Sequence, residues 1–105
     1  MEKESNIMFY RHTKTGNWYL KVSECRHSET LEEMIVYRAL YGDYETWVRP
    51  KSMFDDFILI NGEKKPRFAK FSLSEVPVEV KLAVSNAILG RPTYDFTNIK
   101  GKTKE

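Results

Sequence analysis

Met34-Ile35-Val36-Tyr37-Arg38-Ala39-Leu40-Tyr41 is the stretch on which the fold turns. At the two-residue period of an extended chain, Ile35, Tyr37, Ala39 and Tyr41 share one face, and Met34, Val36 and Leu40 share the other with Arg38. A strand with apolar groups on both faces needs cover on both, which predicts a central position in a sheet. Upstream, Trp18, Leu20 and Val22 alternate with Tyr19, Lys21 and Ser23, the pattern of a half-buried strand. The polar run Arg26-His27-Ser28-Glu29-Thr30 between them is rich in side chains that bond their own backbone, and reads as a hairpin loop.

Downstream, Gly42-Asp43-Tyr44-Glu45 supplies a turn, and Thr46-Trp47-Val48-Arg49 a short strand ending near Pro50, which has no amide donor. Phe57-Ile58-Leu59-Ile60 is a fourth strand, followed at once by Asn61-Gly62, a pair that tolerates the positive φ angles of a tight hairpin turn. A return strand is expected from about Pro66 to Phe71. About five short strands with close turn signals predict a mainly β fold, a small antiparallel roll or barrel, because an open sheet of this size leaves long unpaired edges.

The period changes after Ser72. Ser74 as a cap, Glu75 and Pro77 in a first turn, and Val80, Ala83, Val84, Ala87 and Ile88 at three-and-four spacing before Gly90 and Pro92 predict one C-terminal amphipathic helix. Its apolar stripe needs cover from the open end of the barrel or from a partner chain, so a homodimer through this helix is compatible with the pattern. The expected plan is a β-barrel domain over 8–71, a helical extension over 72–92 packed on it or on a partner, and frayed termini over 1–6 and 99–105.

Composition narrows the class. A chain of 105 residues is one domain with one core, and an aromatic share of 13% makes that core aromatic-rich and argues against disorder. Cys25 is the single cysteine, which excludes an intramolecular disulfide and fits a reducing, cytoplasmic compartment. Met1-Glu2-Lys3-Glu4-Ser5-Asn6 lacks the apolar stretch of a secretory signal, and apolar runs such as Phe57-Ile58-Leu59-Ile60 fall far short of the roughly twenty residues that cross a bilayer, so no membrane partner is expected. A net charge of +2 does not by itself predict nucleic-acid binding.

The residues that carry ligand chemistry are aromatic and polar: Tyr37, Arg38, Tyr41, Asp43, Trp47 and Arg49, with His27 and Glu29 on the preceding loop. Aromatic faces stack on planar groups, and the guanidinium fork matches carboxylate or phosphate. Each aromatic taken singly also reads as a core residue with a satisfied polar tip. Together they predict a non-enzymatic module that binds a peptide or a small anionic or planar ligand. Nucleic-acid binding is a second reading, along Lys64, Lys65, Arg67, Phe68 and Lys70, where cations interleave with aromatics. Lysines that protect a hairpin edge explain the same residues. A small enzyme using His27, Glu29 and Asp43 is the third. Two histidines, one cysteine and no phosphate-cradling glycine pattern predict neither metal nor cofactor.

Tyr10-Arg11-His12, His27-Ser28-Glu29-Thr30, Val36-Tyr37-Arg38-Ala39-Leu40-Tyr41-Gly42, Trp47-Val48-Arg49-Pro50, Met53-Phe54 and Pro66-Arg67-Phe68 resemble, in order and spacing, a bacterial family known as domain of unknown function 1653. The resemblance runs from about Met8 to Phe71 and implies a small SH3-like roll or barrel; it implies no reaction, cofactor or catalytic residue. The loop Thr13-Lys14-Thr15-Gly16 departs from the family's pattern, which tends to have an aromatic there and one residue fewer.

Overall fold

The computed structural model describes residues 7–89. Within them the chain runs β1 (Phe9–His12), β2 (Trp18–Arg26), β3 (Glu33–Ala39), β4 (Thr46–Pro50), α1 (Lys51–Phe54), β5 (Phe57–Ile60), β6 (Glu63–Pro66), β7 (Phe68–Phe71), a single 3-10 turn (Leu73–Glu75) and α2 (Val78–Leu89). The fold is mainly β. Strands β4-β3-β2-β1-β7 form one antiparallel sheet, and β5-β6 form a separate two-stranded ribbon. Strand β3 lies between β2 and β4, the interior position its two apolar faces require.

Seven strands stand where about five were expected, for two local reasons. Tyr10-Arg11-His12 belongs to β1, whose two polar residues hide its extended pairing with both β2 and β7. The expected return strand over 66–71 is two strands: Glu63–Pro66 returns against β5, and Phe68–Phe71 leaves to pair with β1. Arg67 is the junction, its amide bonded to the Asp56 carbonyl and its guanidinium held by the Asp56 carboxylate at 2.7 and 3.0 Å. Asn61 and Gly62 both have positive φ, 53° and 81°, as the tight β5–β6 turn demands.

Cross-strand register sorts the side chains. Tyr10 faces Tyr19, His12 faces Phe68, and Tyr37 faces Trp47, all toward the interior of the roll. There Tyr10, Tyr19, Ile35, Tyr37, Ala39, Phe54 and Phe68 form one buried cluster, with Met8 and Trp47 half-buried against it. Helix α1, too short to leave a periodic signal, supplies Phe54, whose ring stacks on Phe68 at 4.3 Å. Arg49 on edge strand β4 lies over the ring of Phe68 on the opposite edge strand β7, at 5.4 Å, so the two edges of the sheet curl toward each other across the core.

The outer face carries the second cluster. Phe9 and Leu40 are buried there with Val76, Val80 and Ala87, flanked by Trp18, Leu20, Tyr44, Phe71, Ala83 and Val84. The stripe of α2 thus covers the outer face of the sheet rather than an end of the roll. The helix begins at Val78, with the Pro77 carbonyl accepting from the Val80 and Lys81 amides, while Ser72 and Glu75, not Ser74, close the preceding 3-10 turn. Val22 sits at a bulge between Lys21 and Ser23 and is half exposed, beside Leu20 and Ile88 at the rim of a shallow cavity on the outer face. The expected helix stop at Gly90 and Pro92 and the expected frayed ends over 1–6 and 99–105 lie outside the described residues.

Candidate functional site

Alternation along β3 and β4 puts Tyr37, Trp47 and Arg49 on the inner face, because Tyr37 pairs with Trp47 and Ile35 with Arg49. Tyr37 is 2% exposed, whereas Trp47 and Arg49 are half-buried at the margin of the roll. Arg49 Nε donates to the Tyr37 hydroxyl at 3.4 Å while its guanidinium rests on Phe68. Tyr41 follows β3, 37% exposed, and its hydroxyl meets that of the fully buried Tyr19 at 2.7 Å. The Tyr19 ring stands edge-on to Tyr37, Tyr41 and Phe68 at 5.3, 5.6 and 5.7 Å. Tyr37, Tyr41, Trp47 and Arg49 therefore gather around one set of rings, with three phenol hydroxyls, a guanidinium and an indole among them.

The Trp47 indole Nε1 is buried and finds no hydrogen-bond acceptor among the described residues. An unmet donor at this depth is costly and uncommon, which marks the place as one where stability is not the sole determinant. On the same face, His12 is 3% exposed and stands edge-on to Phe68 at 4.9 Å. Its Nδ1 accepts the Thr15 amide at 3.3 Å, and its backbone carbonyl accepts the Gly16 amide, so this ring shapes the loop that departs from the family pattern. Thr13 in that loop donates its hydroxyl to the Pro66 carbonyl. Burial raises the Tyr10 hydroxyl pKa above its ordinary value, with Lys21 opposing, and keeps that phenol protonated deep in the cluster.

Other expected residues lie elsewhere. Arg38 has the opposite parity and points outward, donating to the Thr46 hydroxyl at 3.1 Å and to the Ala87 carbonyl near the end of α2. It ties the helix to the sheet and is not part of the aromatic set. His27 and Glu29 occupy the β2–β3 hairpin loop, where His27 Nδ1 accepts the amides of Glu29 and Thr30 at 3.1 and 3.3 Å. Asp43 is exposed in the loop at the other end of β3. The seven residues of β3 separate these loops by about 20 Å, so His27, Glu29 and Asp43 form no common centre.

The basic stretch is dispersed as well. Phe68 is 5% exposed and offers no face for stacking; Arg67 is paired with Asp56, and Lys65 with Glu63 at 3.4 Å. Lys64 lies over Phe57 at 5.0 Å, which leaves Lys70 exposed on β7. The Arg67 hydrogen bond holds the Asp56 carboxyl below the usual carboxylate range. Among the described residues no group of three or more His, Cys, Asp and Glu is placed to hold a metal. A shallow cavity of about 430 Å³ lies on the outer face between Leu20, Lys21, Val22, Arg38, Thr46 and Ile88, away from the aromatic set.

Tyr19 and Phe68 complete the set, and the sequence pattern does not group them with it. Their closeness depends on the curl of the sheet, which has no signature in local periodicity.

Fold and site together define a small curled antiparallel sheet with an aromatic and arginine cluster at its margin. The chain belongs to the family described as protein of unknown function DUF1653, whose model matches residues 8–70, more than half of the sequence. No curated protein and no solved structure matches it.

Proposed function

We propose that this protein is a non-enzymatic binding module, an SH3-like roll of a bacterial cytoplasm, that takes a peptide or small planar or anionic ligand against Tyr41, Trp47 and Arg49. The reading rests on one observation: at the edge where β4 approaches β7, a half-buried guanidinium lies on the Tyr37 hydroxyl, on the same face as an indole whose N–H has no acceptor among the described residues. Arg49 supplies charge recognition of a carboxylate, and its seat on Phe68 and Tyr37 fixes the fork before a ligand arrives, lowering the ordering cost of binding. Tyr41, braced by Tyr19, adds a rigid aromatic wall. Connectivity supports the SH3-like description, since the last strand returns beside the first after a helical turn that follows β4. An exposed free thiol at Cys25 is in keeping with a reducing compartment.

Selection from a random peptide display library, followed by titration of the recovered peptides, tests this. The expected result is saturable binding that Arg49→Gln weakens at least tenfold while Arg38→Gln leaves it unchanged. Recovery of peptides whose affinity ignores Arg49, Trp47 and Tyr41 contradicts the proposal.

A further inference from the structure

Ile88 belongs to the apolar stripe of α2, yet it is 57% exposed, while Ala87 beside it is wholly buried. It overhangs the outer-face cavity of about 430 Å³, whose other walls are Leu20, Lys21, Val22, Arg38 and Thr46. Val22 is 52% exposed at the same rim, so two large aliphatic side chains stand uncovered there. The charged lining has one sign: Lys21 and Arg38 are cations, and no carboxylate lines the cavity among the described residues. Arg38 is fixed by the Thr46 hydroxyl at 3.1 Å and by the Ala87 carbonyl, and neither acceptor carries a charge that balances it. Lys21 meets Glu24 at 2.6 Å, whose carboxylate is half exposed. Leu20 and Val22 come from β2, Arg38 and Thr46 from β3 and β4, so the apolar and the polar walls lie to different sides. Such a cleft matches an apolar group carrying one negative charge.

The chain itself supplies that group. The described residues end at Leu89, one position past Ile88, and the sequence continues Gly90-Arg91-Pro92-Thr93-Tyr94-Asp95-Phe96. Gly90 and Pro92 stop a helix and let the chain change direction. Asp95 is the one carboxylate between Leu89 and Glu105, and Tyr94 and Phe96 flank it. Asp95 is seven positions beyond Ile88, an extended reach of about 23 Å, ample for a cavity that begins at Ile88 itself. We propose that Tyr94-Asp95-Phe96 folds back into this cavity and straps the end of α2 to the sheet. An extended segment turns successive side chains to opposite sides, so Tyr94 and Phe96 meet Leu20, Val22 and Ile88 while Asp95 meets Arg38, with Lys21 nearby. Tethering favours the chain's own segment over a free ligand: a short linker holds it at a local concentration in the millimolar range, enough to fill a shallow cleft of modest affinity.

Nuclear Overhauser contacts in the full, isotope-labelled chain decide the matter, read at two protein concentrations and in a mixture of labelled and unlabelled chains. The expected result is contact between the Phe96 ring and the methyl groups of Val22 and Ile88 within one chain, unchanged on dilution. Phe96→Ala should abolish the ring-induced shift of those methyl signals and speed hydrogen exchange in the last turn of α2 at least threefold. Asp95→Asn should weaken the same contacts, and Lys102→Ala should leave them as they are. Absence of contact between 94–96 and these methyl groups overturns the proposal, as do methyl signals indifferent to Phe96→Ala. Contacts seen solely between labelled and unlabelled chains overturn it too, because the occupant is then a second copy.

Discussion

Truncating Phe54 to alanine tests how the core supports the site. Phe54 is 2% exposed, stacks on Phe68 at 4.3 Å, and meets Tyr10 and Tyr37 edge-on at 4.9 and 5.4 Å. Removing a buried phenylalanine costs about 3–5 kcal/mol through lost transfer energy and the cavity left behind. Its ring lies between sheet and α1, so the short helix offers little backbone able to collapse inward and the upper half of that range is expected. A domain of this size is stabilised by about 5–15 kcal/mol in total, so a third or more is removed, and the melting temperature should fall by about 15–25 °C. Phe54→Leu, which keeps most of the volume, should recover most of the loss. Urea unfolding followed by circular dichroism measures both variants. A Phe54→Ala cost below about 1.5 kcal/mol, outside the usual range for such truncations, would refute the picture of α1 as the plug of the roll.

Three further outcomes are expected. Arg38→Ala removes the bonds to Thr46 and the Ala87 carbonyl, so it should cost about 1–3 kcal/mol and speed hydrogen exchange in the last turn of α2, with no change in the β5–β6 ribbon. Arg67 holds the Asp56 carboxyl below its usual range, so the pair's contribution is complete above about pH 4 and is lost as pH falls through the lower native value. Both groups are about one-third exposed, which limits that contribution to about 1 kcal/mol, and the stability gap between the natural chain and Asp56→Asn should close on acidification; a gap constant from pH 6 to 2 contradicts the assignment. Gly62→Ala meets no atom within 4 Å but must adopt φ of 81°, so it should weaken the hairpin by about 1 kcal/mol through backbone strain alone.

Much of the sheet is legible in alternation. The two apolar faces of Met34–Tyr41 require an interior strand, and β3 is one. The mixed face of β2 is less transparent: Tyr19 is wholly buried although its sequence neighbours Lys21 and Ser23 are polar, because both faces of the sheet are covered and the chain carries a bulge at Val22. Strand β1 is not legible in the sequence because four residues are too few to establish a period, and neither is the division at Arg67, because a change of sheet leaves no mark in hydrophobicity. Within the site, parity groups Tyr37 with Trp47 and Arg49, and the same parity sends Arg38 outward. His27 and Asp43 flank one strand in sequence, yet an extended strand separates its ends instead of joining them. Phe68 meets Arg49 only because the sheet curls, a long-range consequence of twist and of the Phe54 plug.

The most direct test of the binding surface is a map of nuclear magnetic resonance shifts on adding a selected peptide. It includes the indole N–H signals of Trp18 and Trp47, which lie on opposite faces of the sheet. Saturable changes are expected at Trp47, Tyr41 and Arg49, with the Trp47 indole proton moving and that of Trp18 still. Changes centred on Trp18 and α2, or on the β2–β3 hairpin loop around His27, contradict it.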